Sequence, residues 1–446
     1  MPYFRQIALK IDRVRIFLAL MLFLYLWDVA YFVGVRNPRQ LPHPFSLFRT
    51  IADIEVLRGF SAMLRELIFS FVSGALIGIA LGALILYSSS ASRMIRPFLR
   101  IFLWFPLLMI FAVSEHLLMS IIAVTLCACY YYIAARSSFY LQSFDPFNYA
   151  AREALLQALL VSLIGQLFIS HWQWFTFTWF MKTGPGFQAF AVLVGFIATV
   201  NWCFKSNFPI IADSHAAIIN QELKSNRPNS FDPISLIYAS TLLAMVSTAI
   251  SLSFGSEIWG HMGLSLLEVI CGLGLGSVAA QITFVLLSRS TILKKLLFLM
   301  LPLTYISAIV LWLLMFVIWP HWAPNLFYFW HKVIAVGFVA FYPLIQSLWG
   351  LRDRPGLQRM LLAIDEALPI AFVTMFFGEA YAATQGLGFF VVVAKATQQS
   401  GQAILGCSVT LALMLGLSVL LRWTVKWLSS SEKDRLPGTL VNVEAD

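Results

Sequence analysis

The chain has 446 residues, of which 60% are hydrophobic and only 11% are charged. A soluble protein covers its surface with polar side chains, so this composition excludes a soluble globular fold and indicates a protein embedded in a lipid bilayer. The net charge of +9 requires no nucleic acid as a partner, because membrane proteins concentrate Lys and Arg on their cytoplasmic loops.

Apolar runs long enough to cross a membrane follow one another along the chain. A transmembrane helix needs about 20 apolar residues, and we count about twelve such runs. In the first half they lie near residues 16–35, 66–88, 101–114, 117–135, 154–170 and 186–204. In the second half they lie near residues 234–253, 264–287, 296–318, 333–350, 360–378 and 403–424.

The basic residues indicate how these runs are oriented. Lys10, Arg13 and Arg15 precede the first run, and no small-residue cleavage site follows it. We therefore expect a retained first helix with a cytoplasmic N-terminus rather than a signal peptide. Twelve spans then place the C-terminus in the cytoplasm as well, and most of the 30 Lys and Arg residues fall on cytoplasmic segments, as the positive-inside rule requires.

The chain divides into two halves of similar size. A polar, proline-containing linker at residues 225–233 separates a first transmembrane unit (1–224) from a second one (234–428). The segment 429–446 is charged and has no apolar period, so we predict a disordered cytoplasmic tail.

The two halves share a pattern of glycines. Gly74 and Gly78 in the first half align with Gly272 and Gly276 in the second, and a cluster of Ser and basic residues followed by a proline comes after each pair. Glycines four residues apart allow two membrane helices to pack closely. The pattern predicts an all-α membrane protein of about 12 transmembrane helices in two pseudo-symmetric six-helix units, an arrangement that usually encloses a translocation path.

Several motifs occur in a characteristic order. LPHP at residues 41–44 precedes the glycine-bearing run, a proline-bearing run comes next, and a loop with Asp145-Pro146 and Ala150-Ala151-Arg152 follows. Late in the second half comes EAYAATQGLG at residues 379–388. In this order the features resemble the permease subunit of bacterial binding-protein-dependent ABC importers, in the branch that handles nitrate, sulfonates and taurine. The likeness covers nearly the whole chain as two fused copies.

The resemblance implies a location, partners and a contact surface. It implies the bacterial inner membrane, separate ABC ATPase subunits and a periplasmic substrate-binding protein. In the family a cytoplasmic coupling helix docks on the ATPase, and Tyr149 stands where the family has Glu. In the second copy about two dozen residues of the family pattern are missing after Asp353. The ATPase-coupling residues expected here are Asp145, Pro146, Tyr149, Ala150, Ala151, Arg152 and Glu153, with Arg352 and Asp353 as a weaker counterpart.

The chain has no signature of an enzyme or of a bound cofactor. It lacks the Gly-x-x-x-x-Gly-Lys-Ser/Thr loop that holds phosphates in ATPases, so ATP would be bound by the partner subunit. The cysteines lie in apolar runs without metal-ligand spacing, and we expect small buried residues and no metal.

The carboxylates Asp28, Glu268, Asp365 and Glu366 fall inside predicted spans, where a charge costs about 2.5–3.5 kcal/mol and therefore faces protein or water. Glu268, Asp365 and Glu366 are therefore candidates for the lining of a translocation path; the alternative is that they form hydrogen bonds between helices.

Two other functions of the chain remain open. A 12-helix secondary transporter would use these carboxylates for ion coupling, and a permease-derived scaffold that no longer transports is favoured by the shortened second loop.

Overall fold

The computed structural model describes residues 54–87, 102–109, 112, 116–137, 146–168, 257–289, 328–382 and 385–434, with isolated positions within 14–43 and at 95, 99 and 199. In these residues the secondary structure is helical and contains no strand. The helices are α1 (Ile54–Leu86), α2 (Phe105–Met109), α3 (His116–Ser137), α4 (Pro146–Phe168), α5 (Glu257–Arg289), α6 (Tyr328–Gly350), α7 (Gly356–Ala382), α8 (Leu387–Ala396) and α9 (Ser400–Asp434).

Six of the described helices are long and apolar enough to cross a membrane. Their spanning parts are Leu64–Leu86, Leu117–Arg136, Ile258–Arg289, Lys332–Gly350, Gly356–Ala380 and Ser400–Ser429. They confirm six of the predicted spans and the assignment to the α-helical membrane proteins.

The other predicted spans are described only in part. The fifth predicted span corresponds to α4, and the described part of the third contains only the short helix α2. Four predicted spans and the linker lie outside the described residues, apart from isolated positions: the runs near 16–35, 186–204, 234–253 and 296–318, and the linker 225–233.

Helix α9 continues to Asp434, so the beginning of the segment predicted as a disordered tail is helical. The Ser429 hydroxyl donates to the Val425 carbonyl at 2.8 Å there.

One glycine of α1 and one of α5 lie directly against the backbone of a second helix. A Cβ atom added at Gly78 would lie 2.3 Å from the Thr125 carbonyl oxygen of α3. A Cβ atom added at Gly276 would lie 2.6 Å from the Gly337 carbonyl oxygen of α6. These positions accept only glycine without movement of a helix backbone, which agrees with the predicted role of the glycines in packing.

A third helix completes each of these pairs. Helix α4 packs against both α1 and α3, and α7 packs against both α5 and α6. Helices α8 and α9 then pack on α7, and α2 contacts both α7 and α9. At one of these contacts the Cys407 thiol of α9 donates to the Leu108 carbonyl of α2 at 3.3 Å. Most of the buried apolar residues described in the two halves belong to one continuous core.

The outer faces of α1 and α5 are apolar. Ile68 and Leu76 on α1, and Ile270 and Val278 on α5, are each at least half exposed. An apolar surface of this extent is stable in hydrocarbon but not in water, so lipid is the solvent that these faces require.

Candidate functional site

The beginning of α8 is held by side chains from two other helices. Ser265 on α5 accepts a hydrogen bond from the Leu387 N–H at 2.9 Å, and Glu379 on α7 accepts one from the Gly388 N–H at 2.9 Å. Ser265 Oγ also donates to Glu379 Oε1 at 2.6 Å. The first N–H groups of a helix have no partner inside the helix, and a carboxylate at this end is also favoured by the helix dipole.

Two glycines make this contact possible. Gly386 has φ 110°, a conformation that side chains disfavour, and its N–H donates to His261 Nδ1 at 2.8 Å. A Cβ atom at Gly386 would lie 2.1 Å from the carboxyl carbon of Glu379. A Cβ atom at Gly388 would lie 2.0 Å from the Phe376 carbonyl oxygen. The two glycines of the GLG motif are therefore required for different reasons. Gly386 has a positive φ and lies against the Glu379 carboxyl group, whereas Gly388 lies against the backbone of α7.

A second carboxylate lies beside Glu379. Glu268, one turn after Ser265 on α5, forms an ion pair with Lys332 of α6. Glu268 is fully buried, and Lys332 is 5% exposed. The Glu268 carboxyl also lies within hydrogen-bonding reach of the Glu379 carboxyl. We call Ser265, Glu268, Lys332 and Glu379 the Glu379 cluster.

The Glu379 cluster joins four helices at one buried point. Its members come from α5, α6 and α7, and they bind the first turn of α8. A buried charge is tolerated only when it is paired and hydrogen-bonded, and the ion pair and hydrogen bonds of the cluster meet this requirement while they hold the beginning of α8. No group of three or more His, Cys, Asp or Glu side chains suited to a metal ion occurs among the described residues.

Asp365 belongs to a different buried contact. Its carboxylate accepts hydrogen bonds from Ser418 Oγ at 2.5 Å and from Arg422 Nε at 2.8 Å, both on α9. Along α7, at 1.5 Å per residue, Asp365 lies about 21 Å from Glu379. Its neighbour Glu366 is partly buried. The structure therefore separates Glu268 from the other two predicted path residues and brings it together with Glu379 and Lys332 instead.

The residues predicted for the first ATPase contact lie at the beginning of α4. Pro146 is its first residue, and Asp145 lies outside the described residues. The next five predicted residues are each no more than 7% exposed: Tyr149, Ala150, Ala151, Arg152 and Glu153. Phe147, by contrast, is 51% exposed. The packing of the chain itself therefore covers most of the predicted contact and leaves Phe147 accessible.

The buried charges of α4 lie near the second half of the chain. Arg152 and Glu153 form an ion pair, and both act electrostatically on the buried Tyr342 of α6. The side-chain nitrogens of Gln157 on α4 and Gln346 on α6 have no hydrogen-bond partner among the described residues. Buried polar groups therefore occur on α4 of the first half and on α6 of the second.

The second predicted ATPase contact lies in the connection between α6 and α7. Residues 351–355 join the two helices directly, with no helix between them. Arg352 and Asp353 are exposed, and the Arg352 guanidinium lies 5.8 Å from the Trp349 ring centroid. Arg359 Nη1 donates to the Arg352 carbonyl at 3.3 Å. The connection between the two helices is compact.

Sequence reasoning missed three members of the Glu379 cluster as site residues. Glu379 stood in the motif that carried the resemblance, and Lys332 was one of the few basic residues away from the predicted cytoplasmic segments. Lys332 directly precedes the predicted span 333–350. A basic residue buried at the end of a membrane span requires a partner, and this signal could have joined Lys332 to Glu268. Ser265 offered no comparable signal.

Comparison with known proteins gives no relative: no family model, no curated protein and no solved structure matches the chain.

Proposed function

We propose that the chain is the transmembrane permease subunit of an ABC-type importer in the bacterial inner membrane. It crosses the membrane about twelve times as two pseudo-symmetric six-helix units, with both termini in the cytoplasm. The substrate path lies between the units. Separate ATPase subunits supply the energy, and a periplasmic substrate-binding protein delivers the solute.

The repeated packing of the glycine-bearing helices is the observation that carries this proposal. Gly74 of α1 approaches Val124 of α3, and Gly272 of α5 approaches Val336 of α6, with added Cβ atoms at 2.7 Å and 2.6 Å from the respective valine Cβ atoms. A third helix then packs on both members of each pair. Two copies of one helical unit are a common basis of a membrane translocation path.

The polar residues between the halves support a path at their interface. Arg152 and Glu153 on α4 are close enough to Tyr342 on α6 to act on it electrostatically. Ionisable groups inside a membrane protein usually face the interior of the helix bundle or a water-filled passage. The region between the Arg152–Glu153 pair of α4 and Tyr342 of α6 is therefore our candidate for the solute path.

The ATPase contact follows from what remains exposed at the beginnings of α4 and α7. Phe147 is the exposed aromatic residue at the beginning of α4, and aromatic residues are frequent anchors in protein interfaces. Arg352 and Asp353, which are exposed before α7, offer a smaller second contact. We therefore place the principal ATPase contact around Asp145 to Phe147, and the Leu351–Pro355 connection is its weaker counterpart.

The test is co-isolation of the full chain with an identified ATPase in mild detergent, followed by reconstitution into liposomes. We expect a bound subunit with a phosphate-binding loop, ATP-dependent solute uptake, and an about tenfold loss of the bound ATPase in Phe147→Glu because an aromatic anchor is removed. Tyr87→Glu is the matched control, since Tyr87 is 90% exposed at the end of α1. Proton-driven uptake by the chain alone, without an ATPase, would support a secondary transporter instead.

A permease-derived scaffold is the second candidate, and the compact connection at residues 351–355 favours it. Without a helix between α6 and α7, this half offers an ATPase much less surface than the half that contains Phe147. A stable complex with the ATPase that shows no ATP-dependent uptake in the reconstitution assay would select the scaffold.

A further inference from the structure

Two buried acceptors of the Glu379 cluster face each other without a donor between them. Glu379 is fully buried, and its oxygens accept from Ser265 and Gly388. The Glu268 carboxyl lies within hydrogen-bonding reach of it. Glu268 Oε2 is buried and has no hydrogen-bond donor among the described residues. Two ionised carboxylates have only acceptor oxygens, so a hydrogen bond between them requires an added proton.

The charges of the Glu379 cluster also require an added proton. Two ionised carboxylates and the Lys332 ammonium would leave one net negative charge at a point where all three side chains are at least 94% buried. An uncompensated charge in such a place is very costly, and the group neutralises instead. Two carboxyl groups that share a site ionise in separate steps for this reason.

We propose that Glu268 and Glu379 form a proton-binding site, in which one proton bridges the two carboxyl groups and Lys332 balances the remaining negative charge. The hydrogen bonds then run in one direction: Lys332 donates to Glu268, the Glu268 hydroxyl donates to Glu379, and Glu379 accepts from Ser265 and Gly388. Every donor in this series has an acceptor. The inference goes beyond the proposed importer function, since it needs neither an ATPase nor a solute.

The other ionisable groups near the site do not replace the proton. On α5, His261 accepts the Gly386 N–H at Nδ1, so this nitrogen does not donate to either carboxyl group. On α8 the basic residue is Lys395, in the last turn, and its distance from the first turn is about 12 Å along the helix. The first charged residue of α9 is Arg422, which is bonded to Asp365.

The corresponding positions of the first half carry no charge. Glu268 lies four residues before Gly272, and the residue four before Gly74 is Ser70, which is also fully buried. Lys332 lies four residues before Val336, and the residue four before Val124 is the buried Ser120. The pair of serines can neither bind nor release a proton near neutral pH. Among the described residues, these aligned positions therefore form a proton site in the second half and none in the first.

Loss of the proton would weaken the attachment of α8. The two carboxylates would repel each other beside the Gly388 N–H, and water would have to enter to solvate them. At neutral pH the folded chain holds one proton more than the unfolded chain, in which both carboxyl groups are ionised. The stability contributed by the site therefore falls as pH rises and the proton is lost.

Infrared difference spectroscopy of the full chain in lipid nanodiscs tests the site directly. We expect the C=O band of a protonated carboxylic acid at neutral pH, its loss at alkaline pH, and its absence from both Glu268→Gln and Glu379→Gln. Asp365→Asn is the matched control and keeps the band, because Asp365 is a buried carboxylate with its own cationic partner. A wild-type spectrum without the band at neutral pH, or a band that persists in either Gln variant, would overturn the proposal whether or not other variants fold.

Hydrogen–deuterium exchange at the beginning of α8 tests the consequence. After correction for intrinsic rates, we expect exchange at Gly388 to increase about tenfold as the proton is lost, because linkage makes the local stability depend on pH. Glu379→Gln retains an acceptor for this N–H and has no proton to lose, so its protection should not depend on pH. Protection that follows sodium or potassium concentration at constant pH would identify a metal-cation site and refute the proton site.

Discussion

Replacing Gly388 with alanine tests whether α8 is in contact with the backbone of α7. The new Cβ atom would lie 2.0 Å from the Phe376 carbonyl oxygen and 2.8 Å from the Ala380 nitrogen. Ordinary contacts between such atoms begin at about 3.5 Å, so α8 has to move away by about 1.5 Å. This movement would also break the 2.9 Å hydrogen bond between the Gly388 N–H and Glu379.

The expected loss of stability follows from these two effects. Overpacking a tight contact costs about 1–3 kcal/mol, and a hydrogen bond to a charged group contributes about 1.5–3 kcal/mol. One movement relieves the clash and breaks the bond, so the costs overlap and we expect a net loss of about 3 kcal/mol. Gly401→Ala is the matched control, because nothing lies within 4 Å of its added Cβ atom. Its stability should be unchanged or up to about 1 kcal/mol higher.

Reversible unfolding by SDS in mixed micelles measures both variants, with tryptophan fluorescence and circular dichroism as signals. The two substitutions add the same methyl group to a helical glycine, so the difference between them reports the contact with α7. Equal free energies of unfolding for Gly388→Ala and Gly401→Ala would refute the packing of α8 against the Phe376 carbonyl.

Two further substitutions test the helix contacts on either side of this site. Gly276→Ala should lower the free energy of unfolding by about 1–3 kcal/mol, because its Cβ atom would lie 2.6 Å from the Gly337 carbonyl oxygen. Gly274→Ala is the control and should not lower it, because nothing lies within 4 Å of its added Cβ atom. An equal effect of both in the SDS assay would contradict the close pairing of α5 with α6. Asp365→Ala should lower the free energy of unfolding by about 2 kcal/mol. This is less than the loss expected for a fully buried ion pair, because the Arg422 side chain is 24% exposed. Adding Arg422→Met should restore part of the loss, and additive losses in the double variant would show that the two side chains do not interact.

The spans and the glycine contacts were open to prediction because they depend on local patterns. Hydropathy over about 20 residues reports burial in a membrane directly, and the six described spanning helices lie where it placed them. The spacing of Gly74 and Gly78 indicated a close helix contact. It did not indicate that Val124 and Thr125 of α3 would form the other side.

The surroundings of the predicted ATPase-coupling residues were not open to prediction in the same way. Small residues such as Ala150 and Ala151 suit a close contact, but the sequence does not say which partner makes it. In the structure they are buried within the chain itself, and Phe147 is exposed instead. Burial depends on which helices pack over a segment, and α4 is covered by α1 and α3.

By itself, the sequence determined that this chain is an α-helical membrane protein, where six of its described helices lie, and that Gly74, Gly78, Gly272 and Gly276 lie in close helix contacts. Only the tertiary structure decided that Glu268 meets Lys332 and Glu379, whereas Asp365 meets Arg422. Ser265 and Glu379 are separated by 114 positions, and a buried charge accepts any partner of suitable sign and geometry. Which partner it finds depends on the packing of whole helices.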